Sequence, residues 1–126
     1  MSDTETRQNP DTDAGPFVLR TDNDGADGVT TLTLNRPDEL NALSEGMLAA
    51  LQAELDAIAA DRSVRVVVLG GSGRAFCAGH NLKQMRANYS LAYQQALFAT
   101  CSTMMQSVLR LPQPVIAKVR GLATAA

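Results

Sequence analysis

The sequence predicts an α/β fold with parallel strands, and three stretches carry that expectation. Thr30, Leu32 and Leu34 alternate with Val29, Thr31 and Thr33, the period of a strand buried mainly on one side. Leu48, Leu51, Leu55 and Ile58 recur on one helical stripe, with Glu45, Gln52, Glu54 and Asp56 mostly off it. Val64 to Leu69 is then almost continuously apolar and β-branched, as in a strand covered on both faces of a parallel sheet. Strand, helix and strand in this order imply a right-handed crossover.

The remaining elements follow in order. Met1 to about Gly15 is polar, rich in Asp and Thr, and is expected to be a disordered tail; residues 16–126 are expected to form the domain. Phe17 to Arg20 reads as a short strand that makes a hairpin with Val29–Leu34. Asp22 to Gly28 is the turn between them, because Asn, Asp and Gly tolerate positive φ. That turn lacks the acid spacing and the distal Glu of a calcium-binding loop. Asn35-Arg36-Pro37-Asp38 ends the hairpin, since Pro cannot continue a ladder. Ser44 is placed to cap a helix running to about Ala60. Gly70-Gly71-Ser72-Gly73 breaks the strand pattern after Leu69. A second long helix is expected from about Ser90 to Arg110, with Leu97, Cys101, Met104, Met105 and Val108 inside; Pro112 and Pro114 stop it. Val115 to Val119 is a further strand, and Gly121 to Ala126 begins a turn or a helix.

Composition narrows the function. A chain of 126 residues has room for one domain. A net charge of -2 and 4% aromatics give no basic footprint and few stacking platforms, which argues against a nucleic-acid partner. No apolar run approaches the roughly 18 residues needed to span a bilayer. The first 15 residues lack both a secretory apolar stretch and the Arg-rich, acid-poor character of a transit peptide, so the expected location is cytoplasmic. The sequon Asn88-Tyr89-Ser90 would then be idle. Cys77 and Cys101 fit no zinc or redox spacing and read as reduced core thiols. His80 is the single histidine, so no multi-His metal site is expected. The glycine cluster after Leu69 matches neither a Walker loop nor GxGxxG.

The informative stretch is Arg74 to Met85, RAFCAGHNLKQM. Small residues after a buried strand let the backbone approach a ligand closely. Asn81 is placed to cap a short helix through Arg86, whose first N–H groups would point outward with partial positive charge. From the residues alone, the stretch reads equally as a capped turn or as a cradle for a thioester oxygen that gains negative charge.

Three motifs resemble those of the enoyl-CoA hydratase/isomerase (crotonase) family. Asn35-Arg36-Pro37 followed by Asn41-Ala42-Leu43 is similar to the opening "NRP…NAL". Phe76 to Leu82 is similar to the "F-x-A-G-x-D-L" loop. Leu111 to Ala117 followed by Arg120-Gly121 is similar to "LPKPVIAAVNG". They stand in family order and spacing and cover roughly Phe17 to Ala126. The resemblance implies the N-terminal half of a ββα spiral, trimers or pairs of trimers, and acyl-CoA thioesters as substrates with no separate cofactor or metal. It also implies an enolate oxygen held by two backbone N–H groups, in lyase or isomerase chemistry of fatty acid metabolism. By alignment those groups belong to His80 and Ala126. Ala78, Gly79, His80, Asn81, Leu82 and Lys83 would line the CoA, with Lys83 toward its adenine or phosphate end.

Two departures qualify the resemblance. Asn81 stands where the family has aspartate, which keeps a cap and loses a charge. The family's acid/base carboxylates lie beyond the second oxyanion residue, and none of Glu39, Glu45 or Glu54 aligns with them. The chain by itself is therefore expected to be inactive. The alternative is a non-catalytic module that binds CoA or a partner subunit. A serine peptidase of similar architecture is disfavoured, since no nucleophilic serine sits near His80 in a recognisable motif.

Overall fold

The protein is described here as a computed structural model, which covers residues 15–124. Residues 1–14 of the expected tail, and Ala126, lie outside the described residues. Strand β1 (Val18–Thr21) and β2 (Val29–Leu34) form the expected hairpin, with Val18 opposite Leu34. Its turn is held by left-handed Asn23 (φ 53), whose side chain accepts the Gly28 N–H at 3.0 Å. A 3₁₀ turn at Pro37–Glu39 leads to helix α1 (Glu45–Ala59). The Ser44 hydroxyl caps α1 by accepting the Met47 N–H at 3.2 Å. Strand β3 (Val66–Gly71) then pairs parallel with β2, from Val29–Val66 to Leu34–Gly71.

Strand β3 starts and ends two residues later than its composition suggests. Val64 is buried before the strand begins, and the Arg65 and Val66 N–H groups both donate to the Gly28 carbonyl, at 2.7 and 3.0 Å. Pairing with β2 therefore starts the ladder at Val66. The same pairing carries it through Gly70 and Gly71, which complete the strand instead of breaking it. Tertiary pairing has overridden local propensity here. Val67 is fully buried while Val66, Val68 and Leu69 are half-buried, so the strand is not fully covered on both faces as expected.

Strand β4 (Ala75–Cys77) and the short helix α2 (Leu82–Ala87) precede helix α3 (Leu91–Arg110), which Ser90 caps through the Tyr93 N–H at 3.0 Å. Strand β5 (Val115–Ala117) pairs parallel with β3, and β6 (Leu122–Ala123) pairs parallel with β4. The main sheet runs β1-β2-β3-β5, and β4-β6 forms a second sheet. One core joins Leu32, Leu34 and Val67 of the sheet to Leu48, Leu51, Leu55 and Ile58 of α1, and to Leu97, Cys101 and Met104 of α3. Met105, expected inside, is exposed, and Val108 is only half-buried. An apolar pocket of about 330 Å³, open to the surface, lies among Leu34, Leu69, Phe76, Cys77, Met105 and Val115. Among the described residues no helix is long and apolar enough to cross a membrane.

Candidate functional site

The stretch after β4 folds into a loop clamped by the segment before α1. The Ala78 N–H donates to the Leu40 carbonyl at 2.9 Å, and the Leu43 N–H donates to the Gly79 carbonyl at 2.6 Å. Leu43 and His80 thus form an isolated parallel bridge. Gly79 has φ 83, a conformation that side chains disfavour and glycine adopts freely. The Gly79–His80 peptide is the centre of the site. Its carbonyl is taken by Leu43, and a trans peptide then points the His80 N–H the opposite way. Among the described residues that N–H has no acceptor.

The side chains around the loop are mostly structural. The His80 ring meets Phe98 of α3 edge-on, with centroids 4.8 Å apart and planes at 86°. Its Nδ1 is buried and has no hydrogen-bond partner among the described residues. Cys77 is buried, and its Sγ accepts the Gly79 N–H at 3.4 Å. Burial pushes the Cys77 thiol up, partly opposed by that N–H, which leaves it a poor nucleophile. Asn81 caps α2 as expected, accepting the Gln84 N–H at 3.0 Å. Gln84 in turn accepts the Glu45 N–H at 3.1 Å and ties α2 to the start of α1. Leu82 and Lys83 are exposed on α2, whereas Ala78, His80 and Asn81 are half-buried and Gly79 is buried. Of the sequence's glutamates, Glu45 accepts the Tyr93 hydroxyl at 2.6 Å and Glu54 pairs with Arg20 at 3.7 Å. No group of three metal-ligating side chains occurs among the described residues.

Two participants were not visible in the residue pattern. Phe98 reaches His80 only through the packing of α3. Asn41 had counted only as a motif letter, yet its side chain joins three separate backbone segments: it accepts the Arg36 N–H at 2.8 Å and donates to the Ser72 and Ala75 carbonyls at 2.9 and 3.0 Å. An Asn between a proline turn and a helix cap, free to take positive φ, was the available signal.

Known proteins agree with this architecture. The enoyl-CoA hydratase/isomerase family model matches residues 24–126. A Xenopus laevis protein named enoyl-CoA hydratase domain-containing protein 3, mitochondrial, is 42% identical over 99 residues, covering 79% of this chain and 34% of its own. The 1,2-epoxyphenylacetyl-CoA isomerase of Escherichia coli is 36% identical over 104 residues, covering 79% of this chain and 39% of its own. The crystal structure of an enoyl-CoA hydratase from Mycobacterium smegmatis superposes with a TM-score of 0.79 at 55% identity, over 82% of this chain and 40% of that one. The chain thus spans about a third of the length of the curated relatives.

One expectation is corrected by these relatives. The Xenopus protein and its human counterpart are named mitochondrial, which overturns the cytoplasmic location read from the N-terminal residues. The reason is physical: an acidic, polar stretch carries no address of its own, so the composition of these residues does not set a compartment. With the motifs, the fold and the family match in agreement, the chain belongs to the enoyl-CoA hydratase/isomerase family, as an N-terminal part of that fold.

Proposed function

We propose that the Ala78–Lys83 loop binds an acyl-CoA thioester and that the His80 N–H donates to its carbonyl oxygen. The observation that carries this reading is the Gly79–His80 peptide, fixed on its carbonyl side by Leu43 and without an acceptor on its N–H side. When a proton leaves the carbon beside the thioester, charge collects on that oxygen, and an oriented donor there stabilises the enolate. One such donor is worth about 3 kcal/mol in the transition state. A second donor is assigned to Ala126. Lys83, exposed on α2, is assigned to the phosphate or adenine end of CoA. The His80 imidazole, packed on Phe98, acts as an anchor and takes no part in the chemistry. The family's oligomeric habit fits the apolar residues left exposed on α3, so association into trimers or hexamers belongs to the same reading.

The test is a titration of ¹⁵N-labelled protein with acetoacetyl-CoA, using CoA without the acyl group as control. The expected result is a shift of the His80 amide with the acyl ligand alone, and shifts around Lys83 with both. Shifts confined to other parts of the chain would refute the assignment.

A further inference from the structure

Resting on the reading of His80 as a thioester donor, we propose that Asn41 is the positioning residue that aims this N–H. Leu40 (φ 54) and Asn41 (φ 55) are consecutive left-handed residues, and a leucine rarely adopts that conformation. Strain of this kind persists only where the surroundings over-determine it. Here the surroundings are the Asn41 side chain. It is 0% exposed, and both of its amide protons and its oxygen are used: Arg36 N–H to Oδ1, and Nδ2 to the Ser72 and Ala75 carbonyls. Gly71 leaves the space for it, since a Cβ there would sit 2.9 Å from Nδ2 and 2.6 Å from the Phe76 carbonyl.

The consequence reaches the loop within two residues. The chain reversal at Leu40–Asn41 sets the direction of the Leu40 carbonyl and the Leu43 N–H, the two groups that grip Ala78 and Gly79. The Leu43 bond lies on the same peptide plane that carries the His80 N–H, so tilting one tilts the other. It also polarises that plane, because a carbonyl that accepts a hydrogen bond strengthens the donor across the amide. Asn41 never touches the thioester. It acts by fixing the plane that does.

Three measurements on the full chain test this. Asn41→Gly keeps the left-handed conformation accessible and removes the side-chain bonds together with the buried side chain that makes them. In that variant, amide exchange at Ala78 and Leu43 should rise about tenfold or more, the scale of one lost hydrogen bond, with Leu51 and Leu55 unchanged. The carbonyl stretch of bound ¹³C-acetyl-CoA, shifted from its free position in the unmodified chain, should move back toward that position. Faster exchange with an unmoved carbonyl stretch would make Asn41 merely structural and overturn the proposal, as would unchanged exchange at Ala78 and Leu43. Should the variant not fold, the unmodified chain decides. The Asn41 side-chain amide should then show the same protection, observed rate relative to intrinsic rate, as the Ala78 and Leu43 amides, in one shared opening. Rapid side-chain exchange beside protected loop amides would overturn the proposal. If bound acetyl-CoA shows no carbonyl shift in the unmodified chain, the thioester reading fails, and the exchange rates still judge the clamp.

Discussion

Helices α1 and α3 meet in one core, yet they are held to it very differently. Over 15 residues α1 buries Met47, Leu48, Leu51, Leu55 and Ile58. Over 20 residues α3 buries only Leu97, Cys101 and Met104, while Leu91, Phe98, Met105 and Leu109 stand exposed. The difference shows what helical periodicity tells and what it leaves out. Apolar spacing locates the faces that want cover. It says nothing of which face another element in the same chain reaches. On α1 one stripe was apolar, and the sheet and α3 together cover it; on α3 apolar residues occur on two sides, and the core meets one.

The largest effect expected from this contrast is in stability. Leu51→Ala should cost about 2–5 kcal/mol by removing a fully packed side chain. Leu109→Ala, at 84% exposure on α3, should stay within about 0.5 kcal/mol. Denaturant unfolding measures both, and hydrogen exchange should find α3 less protected than α1. A large cost at Leu109 would mean that a second molecule covers this face, and the unfolding midpoint would then rise with protein concentration.

The loop between the two helices supplies the next test. Gly79→Val forces a β-branched residue to φ 83 and should cost about 1–3 kcal/mol in backbone strain, with loss of acyl-CoA binding. His80→Ala removes the edge contact with Phe98, about 0.5–1.5 kcal/mol, and keeps the N–H. Calorimetric titration with acetoacetyl-CoA on both variants ranks them. Should His80→Ala abolish binding while Gly79→Val spares it, the imidazole would be chemical and the main-chain assignment wrong.

Much of this was legible in the sequence because local chemistry fixes it. The caps at Ser44 and Asn81, the buried stripe of α1 and the hairpin at Asn23 all follow from side chains acting on their own neighbours. What escaped depends on partners far along the chain. The two-residue offset of β3 is set by β2 and by the Gly28 carbonyl. Val115 to Val119 shortens to Val115–Ala117, with Ile116 56% exposed, and among the described residues β5 pairs with β3 at the sheet edge. At the site, motif spacing placed the loop and its cap. The αL pair Leu40–Asn41 that holds the loop has no periodic signature, since its bonds reach Ser72 and Ala75 more than 30 residues away.

The caps sharpen the contrast between the helices at a smaller scale. Ser44→Ala and Ser90→Ala each remove one N-cap acceptor, worth about 1 kcal/mol. If both helices unfold with the whole domain, the two variants should lower global stability equally. The weaker burial of α3 predicts instead that Ser90→Ala mainly speeds exchange at Tyr93 and Gln94, with little change in the global midpoint, whereas Ser44→Ala lowers the midpoint. Equal global losses would show that α3 is as firmly docked as α1.

The smallest expected effect is electrostatic and lies where β1 meets the end of α1. Arg20 of β1 meets Asp22 at 2.9 Å, Asp61 at 3.2 Å just beyond α1, and Glu54 of α1 at 3.7 Å. α3 carries a single charge, Arg110, and joins no ion pair among the described residues. The Asp22 carboxyl is held below its usual range by the Thr30 hydroxyl and by Arg20; Asp61 is held low by the hydroxyl and amide of Ser63, then by Arg20. A carboxylate whose pKa is lowered on folding adds stability above its unfolded value, about 4, and loses it as pH falls through the folded value. The melting temperature should therefore be indifferent to these groups between pH 5 and 7 (about 1–3 units above that value) and should fall below about pH 4. Both carboxylates are open to solvent, so the loss is small and weakens in high salt. Asp22→Asn and Asp61→Asn combined should flatten that acid limb. An unchanged limb in the double variant would place the acid sensitivity elsewhere and leave the α1 side with no electrostatic advantage over α3.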